Sequence, residues 1–134
     1  MHSIDIDAKD LFQAMADFTR VRILRLMLDS SEEICLCEFV DSLLEPQYNL
    51  SRHLKILRQA GLLSATKEGR WVYHGLVTGV PHIKNLYKLV SSLPDADRTF
   101  AQDFYRFGKR KKIRVTGRCK VEPYHQGSKL QKSR

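Results

Sequence analysis

In the stretch EEICLCEFV, Cys35 and Cys37 stand one residue apart, and Cys119 is the chain's only other thiol. Three cysteines, two of them too close for an easy mutual disulfide, do not make a secreted disulfide framework. Thiols kept reduced serve instead as soft ligands or as redox sensors. An i, i+2 pair in a regular helix points about 200° apart, so ligation of one ion by both would have to unwind or bend the turn that carries them.

A second set of residues suited to chemistry lies just downstream, in QYNLSRHLKILRQAGLL. Gln47 and Asn49 can bond adenine bidentately, Arg52 can bond guanine, and Tyr48, Ser51 and Lys55 can hold phosphates. His53 is placed on the same face. The following LSATKEGRWVYHGLV has two β-prone arms around Glu68-Gly69, with Lys67 and Arg70 giving the tip a positive charge. Together these residues have the makings of a nucleic-acid reader.

The charge distribution agrees in part. The 134 residues carry a net charge of +8, but residues 1 to 45 sum to −6, residues 46 to 70 to +4, residues 71 to 105 to zero and residues 106 to 134 to +10. A local basic patch on an otherwise acidic or neutral domain is an electrostatic footprint for a polyanion. The opening MHSIDIDAKDLFQAM is acidic and interleaved with polar residues, unlike a signal peptide. No run approaches the roughly 18 apolar residues of a membrane span. A cytoplasmic protein without membrane association is expected.

The elements that must position these groups follow from periodicity. Leu11, Met15 and Phe18 predict a first helix over 7–18, Thr19 is a candidate cap for a second, and Leu36, Phe39, Val40, Leu43 and Leu44 predict a short third helix stopped by Pro46. Leu50, Leu54 and Leu57 form the inner stripe of a fourth, ending at Gly61. A hairpin over 63–77 and a fifth helix with Ile83, Leu86, Tyr87, Val90 and Leu93 complete residues 1–93 as one domain. Pro94 and Asp95 open a further helix over 94–108, in which Phe100, Phe104 and Phe107 share a face; residues 109–134 read as a flexible basic tail. A short helix, a turn, a helix with a polar cationic face and a basic-tipped hairpin make a winged helix-turn-helix, mainly α with a small β wing.

The run from EEICLCEFVDSLL through QYNLSRHLKILRQAGLLSATKEGRWVYHGL, extended back to ADFTRVRIL, resembles the ArsR/SmtB family of metal-responsive transcriptional repressors, in particular its arsenic-sensing branch, over about residues 10 to 93. The resemblance implies a dimeric repressor that binds double-stranded operator DNA and leaves it when a metal or metalloid binds. The helix matching 47–60 would read the DNA, the hairpin matching 63–77 would be the wing, and the first and fifth helices would form the homodimer interface. As(III) or Sb(III) would be the inducer, with Cd(II), Pb(II) or Zn(II) as further candidates, and no permanent cofactor is implied. Cys35 and Cys37 match the family's thiol pair. The further cysteine expected three residues later is replaced by Val40, and Cys119 is a candidate third ligand from the tail. The fifth helix, PHIKNLYKLV, lacks the acidic and histidine spacing of the family's zinc site.

Three other readings compete. A regulator of the same fold could respond to oxidants through Cys35 and Cys37. A thiol-disulfide enzyme is disfavoured because such pairs use C-x-x-C, and no nucleophile, base and orienting group occur together. A soft-metal carrier would leave the reading helix and wing without a purpose.

Overall fold

A computed structural model describes residues 8–123. Six helices and three short strands follow one another as α1 (Ala8–Met15), α2 (Phe18–Ser30), β1 (Ile34–Cys35), α3 (Leu36–Leu43), α4 (Gln47–Gln59), β2 (Leu63–Glu68), β3 (Trp71–Leu76), α5 (Pro81–Ser91) and α6 (Thr99–Lys111). The fold is mainly helical with a small antiparallel sheet, as a winged helix-turn-helix requires.

Local chemistry sets most boundaries. Asp17, not Thr19, caps α2: its backbone is extended and its carboxylate accepts the Arg20 N–H. Thr19 is already inside the helix. Pro46 is extended and precedes α4, while Leu44, in left-handed backbone, closes α3 by donating to the Val40 carbonyl. The tip of the hairpin is Gly69-Arg70, one residue later than the pattern suggests, because Glu68 and Trp71 still pair and Gly69 takes the positive φ (63°) that the turn needs.

Ile23, Leu24 and Met27 of α2 are fully buried between Phe39 and Leu43 of α3, Leu50, Leu54 and Leu57 of α4, and Ile83 and Val90 of α5. The apolar stripe of α4 is therefore what presses this helix onto the core, and truncating one of its leucines to alanine would cost about 2–5 kcal/mol. One strand has no counterpart in the sequence pattern. Ile34 and Cys35 pair with His74 and Tyr73, giving the order β1-β3-β2.

The C-terminal part departs most from expectation. The sixth helix runs on to Lys111 rather than 108 and packs against α2 and α3. Residues 112–123 then fold back over the sheet, closing a small turn in which Val115 and Arg118 exchange backbone hydrogen bonds. The cause is charge pairing. Arg106, Arg110, Arg114 and Arg118 recur every fourth residue, and three of them meet carboxylates of the acidic first half. Arg110 Nε lies 2.5 Å from Asp41, and Arg114 Nε and Nη2 lie 2.7 and 2.9 Å from Glu38. Arg118 pairs with Glu33 at 3.0 Å and with Glu68. The described portion of the expected basic tail is thus a strap; residues 124–134 lie outside the described residues.

Candidate functional site

The strap brings Cys119 to Cys35. The two sulfurs and a Glu38 carboxylate oxygen lie within 4.8 Å of one another, and the Cys37 side chain packs against the pair. Each residue reaches this point by a different route. Cys35 ends β1, where pairing with Tyr73 keeps its backbone extended, and it is the N-cap of α3. Cys37 is the second residue of α3. Cys119 is held by a hydrogen bond from the Tyr73 hydroxyl to its carbonyl (3.3 Å), while Arg118 stacks 3.8 Å over the Tyr73 ring.

This geometry changes the reading of the thiol pair. Cys35 lies outside the helix, in extended backbone, so the 200° divergence of an i, i+2 helical pair does not apply. The angle between the two side chains is set by the β1–α3 junction and not by the pitch of a helix.

Electrostatics divide the cluster unequally. The S–H groups of Cys35 and then Cys37 donate to the Cys119 sulfur, which also accepts from Arg110 Nη2 at 3.8 Å; these donors hold the Cys119 thiol well below its usual range. Donation to Cys119 raises Cys35, with burial adding to the effect, and it lifts Cys37 to about 11. Of the three thiols, Cys119 is the one these contacts favour as a thiolate. Glu38 is already engaged, accepting the Cys35 N–H at 3.1 Å and a two-pronged contact from Arg114. Three sulfurs remain as donors, a set that suits a thiophilic ion of trigonal preference better than an oxygen-seeking one.

The polar, cationic face expected from the sequence lies on α4. Tyr48, Ser51, Arg52 and Lys55 are exposed at helical spacing, with Gln47 and Asn49 half-buried beside them and Asn49 accepting from Arg52 at 3.3 Å. Lys67 and Arg70 are exposed on the hairpin. His53 is not on this face. It is 7% exposed, its Nδ1 lies 3.1 Å from Arg20 Nη1 and its Nε2 lies 4.0 Å from Asp17. Burial, which outweighs the nearby Asp17 charge, pulls its pKa down. The leucine stripe that faces inward carries position 53 with it, so His53 ties α4 to α2 and does not share the exposed face of Arg52 and Lys55.

Periodicity also missed two positioning residues. Arg20 donates from Nε to the Ala14 carbonyl (2.6 Å) as well as reaching His53, fastening the end of α1 to α4. Arg58, near the end of α4, reaches His74 Nε2 in β3 at 3.0 Å, joining reading helix to wing. His74 is 2% exposed, and burial together with the Arg58 charge lowers its pKa to about 4, so the ring is neutral. Its strand neighbour Tyr73 faces Cys35. A continuous path of contacts therefore runs from the thiols through β3 to α4.

Comparison with known proteins covers the same region. Residues 17–65 match the family model described as bacterial regulatory protein, arsR family. An uncharacterised HTH-type transcriptional regulator of Methanocaldococcus jannaschii is 38% identical over 86 residues, 64% of this chain and 93% of that protein. The arsenical resistance operon repressor of Escherichia coli is 41% identical over 71 residues, 53% of this chain and 60% of the repressor. A cadmium resistance transcriptional regulatory protein CadC homolog of Staphylococcus aureus is 32% identical over 81 residues, 60% of this chain and 64% of that protein. The chain thus spans less than two thirds of the last two. The family model ends in β2, well before the strap.

Proposed function

The chain belongs to the arsR family of bacterial regulatory proteins, and from that premise we propose that it is a metal-responsive transcriptional repressor whose inducer is As(III) or Sb(III), bound by Cys35, Cys37 and Cys119. Relatives named for arsenic and for cadmium support a soft inducer, and a three-sulfur donor set suits As(III) and Sb(III), which take three thiolates, better than Zn(II), which takes four ligands. The observation that carries the reading is the convergence of three thiols at the start of α3, directly before the helix that presents Arg52 and Lys55. Each As–S bond replaces an As–OH group, which leaves as water with one proton.

The repressor acts as a homodimer in the cytoplasm, since one reading helix spans only a half-site. Phe12 of α1 and Leu89 of α5 are exposed apolar residues available for pairing. No helix of the described residues is long and apolar enough to cross a membrane. Release follows if ligation favours a state of the β1–α3 junction that no longer fits the groove. Moving a 1:99 balance to 99:1 takes about 5.5 kcal/mol of differential binding.

The test begins with an operator selected from random duplexes by the reduced protein. Arsenite should dissociate that complex, and Cys35→Ser, Cys37→Ser and Cys119→Ser should each bind the operator yet resist release. If Cys35→Ser protein leaves DNA at the same arsenite concentration as the unaltered chain, the reading fails. The closeness of Cys35 and Cys119 also supports an alternative, in which a peroxide takes two electrons and two protons from the pair to form a disulfide. Release by peroxide, reversed by a dithiol and unaffected by arsenite, would select it.

A further inference from the structure

The strap does more than deliver Cys119. A cavity of about 230 Å³ is lined by Cys35 and Cys37, by Gln47 at the first turn of the reading helix, by Arg70 and Trp71 of the wing, and by Glu122 of the strap. It is the place where thiols, reading helix and wing meet. Glu122 lines it with one carboxylate oxygen 4.0 Å from the Cys37 sulfur and the other in an ion pair with Arg70 Nη2. Arg70 also lies over the Trp71 ring, its guanidinium 4.8 Å from the ring centre. The position of Glu122 is anchored from behind, because Arg110 Nη2 donates to the carbonyls of Val121 (2.6 Å) and Glu122 (3.4 Å).

Arg70 is the exposed cation at the tip of the wing, the position from which a guanidinium would grip the DNA backbone. A carboxylate and a phosphate oxygen compete for the same N–H fork. We propose that Glu122 is an internal stand-in for a DNA phosphate: it occupies Arg70 in the DNA-free protein, and the backbone of a bound duplex must displace it. The inference deepens the repressor reading and rests on it for the role of the wing. It also gives the thiol cluster a second way to act. Cys119 lies three residues before Glu122, so an ion that fixes Cys119 against Cys35 and Cys37 holds Glu122 over Arg70 and biases the competition against DNA.

The contact is exposed on both sides, with side chains 65% and 59% accessible, so its removal should leave the fold intact. The measurement is binding of full-length, reduced, metal-free protein to a fluorescent duplex of arbitrary sequence, because a phosphate grip needs no particular bases. Glu122→Gln should tighten binding roughly two- to fivefold, the range of a single exposed ion pair. Glu122→Ala should do the same. In an Arg70→Ala background, Glu122→Gln should have no effect. Unchanged or weaker binding by Glu122→Gln overturns the proposal. So does equal tightening with and without Arg70, which would mark a general charge effect. Metalloid binding is followed separately by the ultraviolet absorption of As–S bonds during arsenite titration. Failure of that titration in the unaltered chain would sink the arsenic reading while the duplex measurements still decide the role of Glu122.

Discussion

Two regions of this chain are strongly basic, and they use their cations in opposite ways. In α4 and the hairpin, Arg52, Lys55 and Lys67 project into solvent. In α6 and the strap, Arg110 is 1% exposed, and Arg110, Arg114 and Arg118 are engaged by Asp41, Glu38, Glu33 and Glu68. The net charge of residues 106–134 is the larger of the two, yet its described arginines are bound to the protein itself. Charge density in a segment therefore indicates a polyanion partner only after the acidic residues elsewhere in the chain have been subtracted. Here the −6 of residues 1–45 is the strap's partner.

The comparison breaks most directly at Arg110. Replacing it with alanine leaves Asp41 buried without that partner and should destabilise the fold by about 3–5 kcal/mol in urea denaturation. The per-molecule DNA affinity of the fraction that remains folded should stay within a few-fold. A loss of DNA affinity with unchanged stability would put Arg110 in the other class. For the same reason, deleting residues 109–134, which hold Arg110, Arg114 and Arg118, should unfold the protein.

His74 tests the border between the regions, where wing, reading helix and thiol strand meet. Folded, it takes its proton only near pH 4; unfolded, near 6.5. The unfolded chain thus binds the extra proton in that window, and stability should fall as pH drops from about 6.5 to 4, by an amount of order 3 kcal/mol. His74→Gln should flatten that part of the profile. An unchanged profile in the variant would show that His74 is not the titrating group.

Arg52→Ala should cost about 1–3 kcal/mol of operator affinity and less on random duplex, with stability changed by no more than about 0.5 kcal/mol. Equal losses on both duplexes would move Arg52 from base reading to phosphate contact. The smallest effect belongs to Lys67→Ala, which should weaken both duplexes alike and lower the slope of log K against log salt by about 0.9. An unchanged slope would mean that the wing never reaches the backbone at that point.

How much was legible in the sequence follows the range of the forces involved. The stripes Leu36-Phe39-Val40-Leu43 and Leu50-Leu54-Leu57, with Pro46 between them, declare two helices and their turn because each depends on neighbours three or four residues away. The strand Ile34–Cys35 could not be read that way, since two residues become extended only by pairing with Tyr73 and His74. His53 looked like a reader because its type fits DNA, whereas the leucine stripe turns its side of the helix inward. Cys119 carries no ligand pattern around it; ion pairs spanning 69 to 85 residues set its position. The four-residue spacing of Arg106, Arg110, Arg114 and Arg118 does not reveal this, because α6 ends at Lys111, Arg114 and Arg118 lie in the strap, and Arg106 pairs with Asp103 of its own helix.

The third thiol's distance along the chain has a consequence for synthesis. Everything from α3 to β3 has been synthesised by residue 76, while the strap and Cys119 are still to be made. At about 5 to 20 residues per second, the interval between residues 76 and 119 lasts a few seconds. The helices and hairpin proposed to meet DNA are therefore synthesised before the last of the proposed inducer ligands, Cys119, exists.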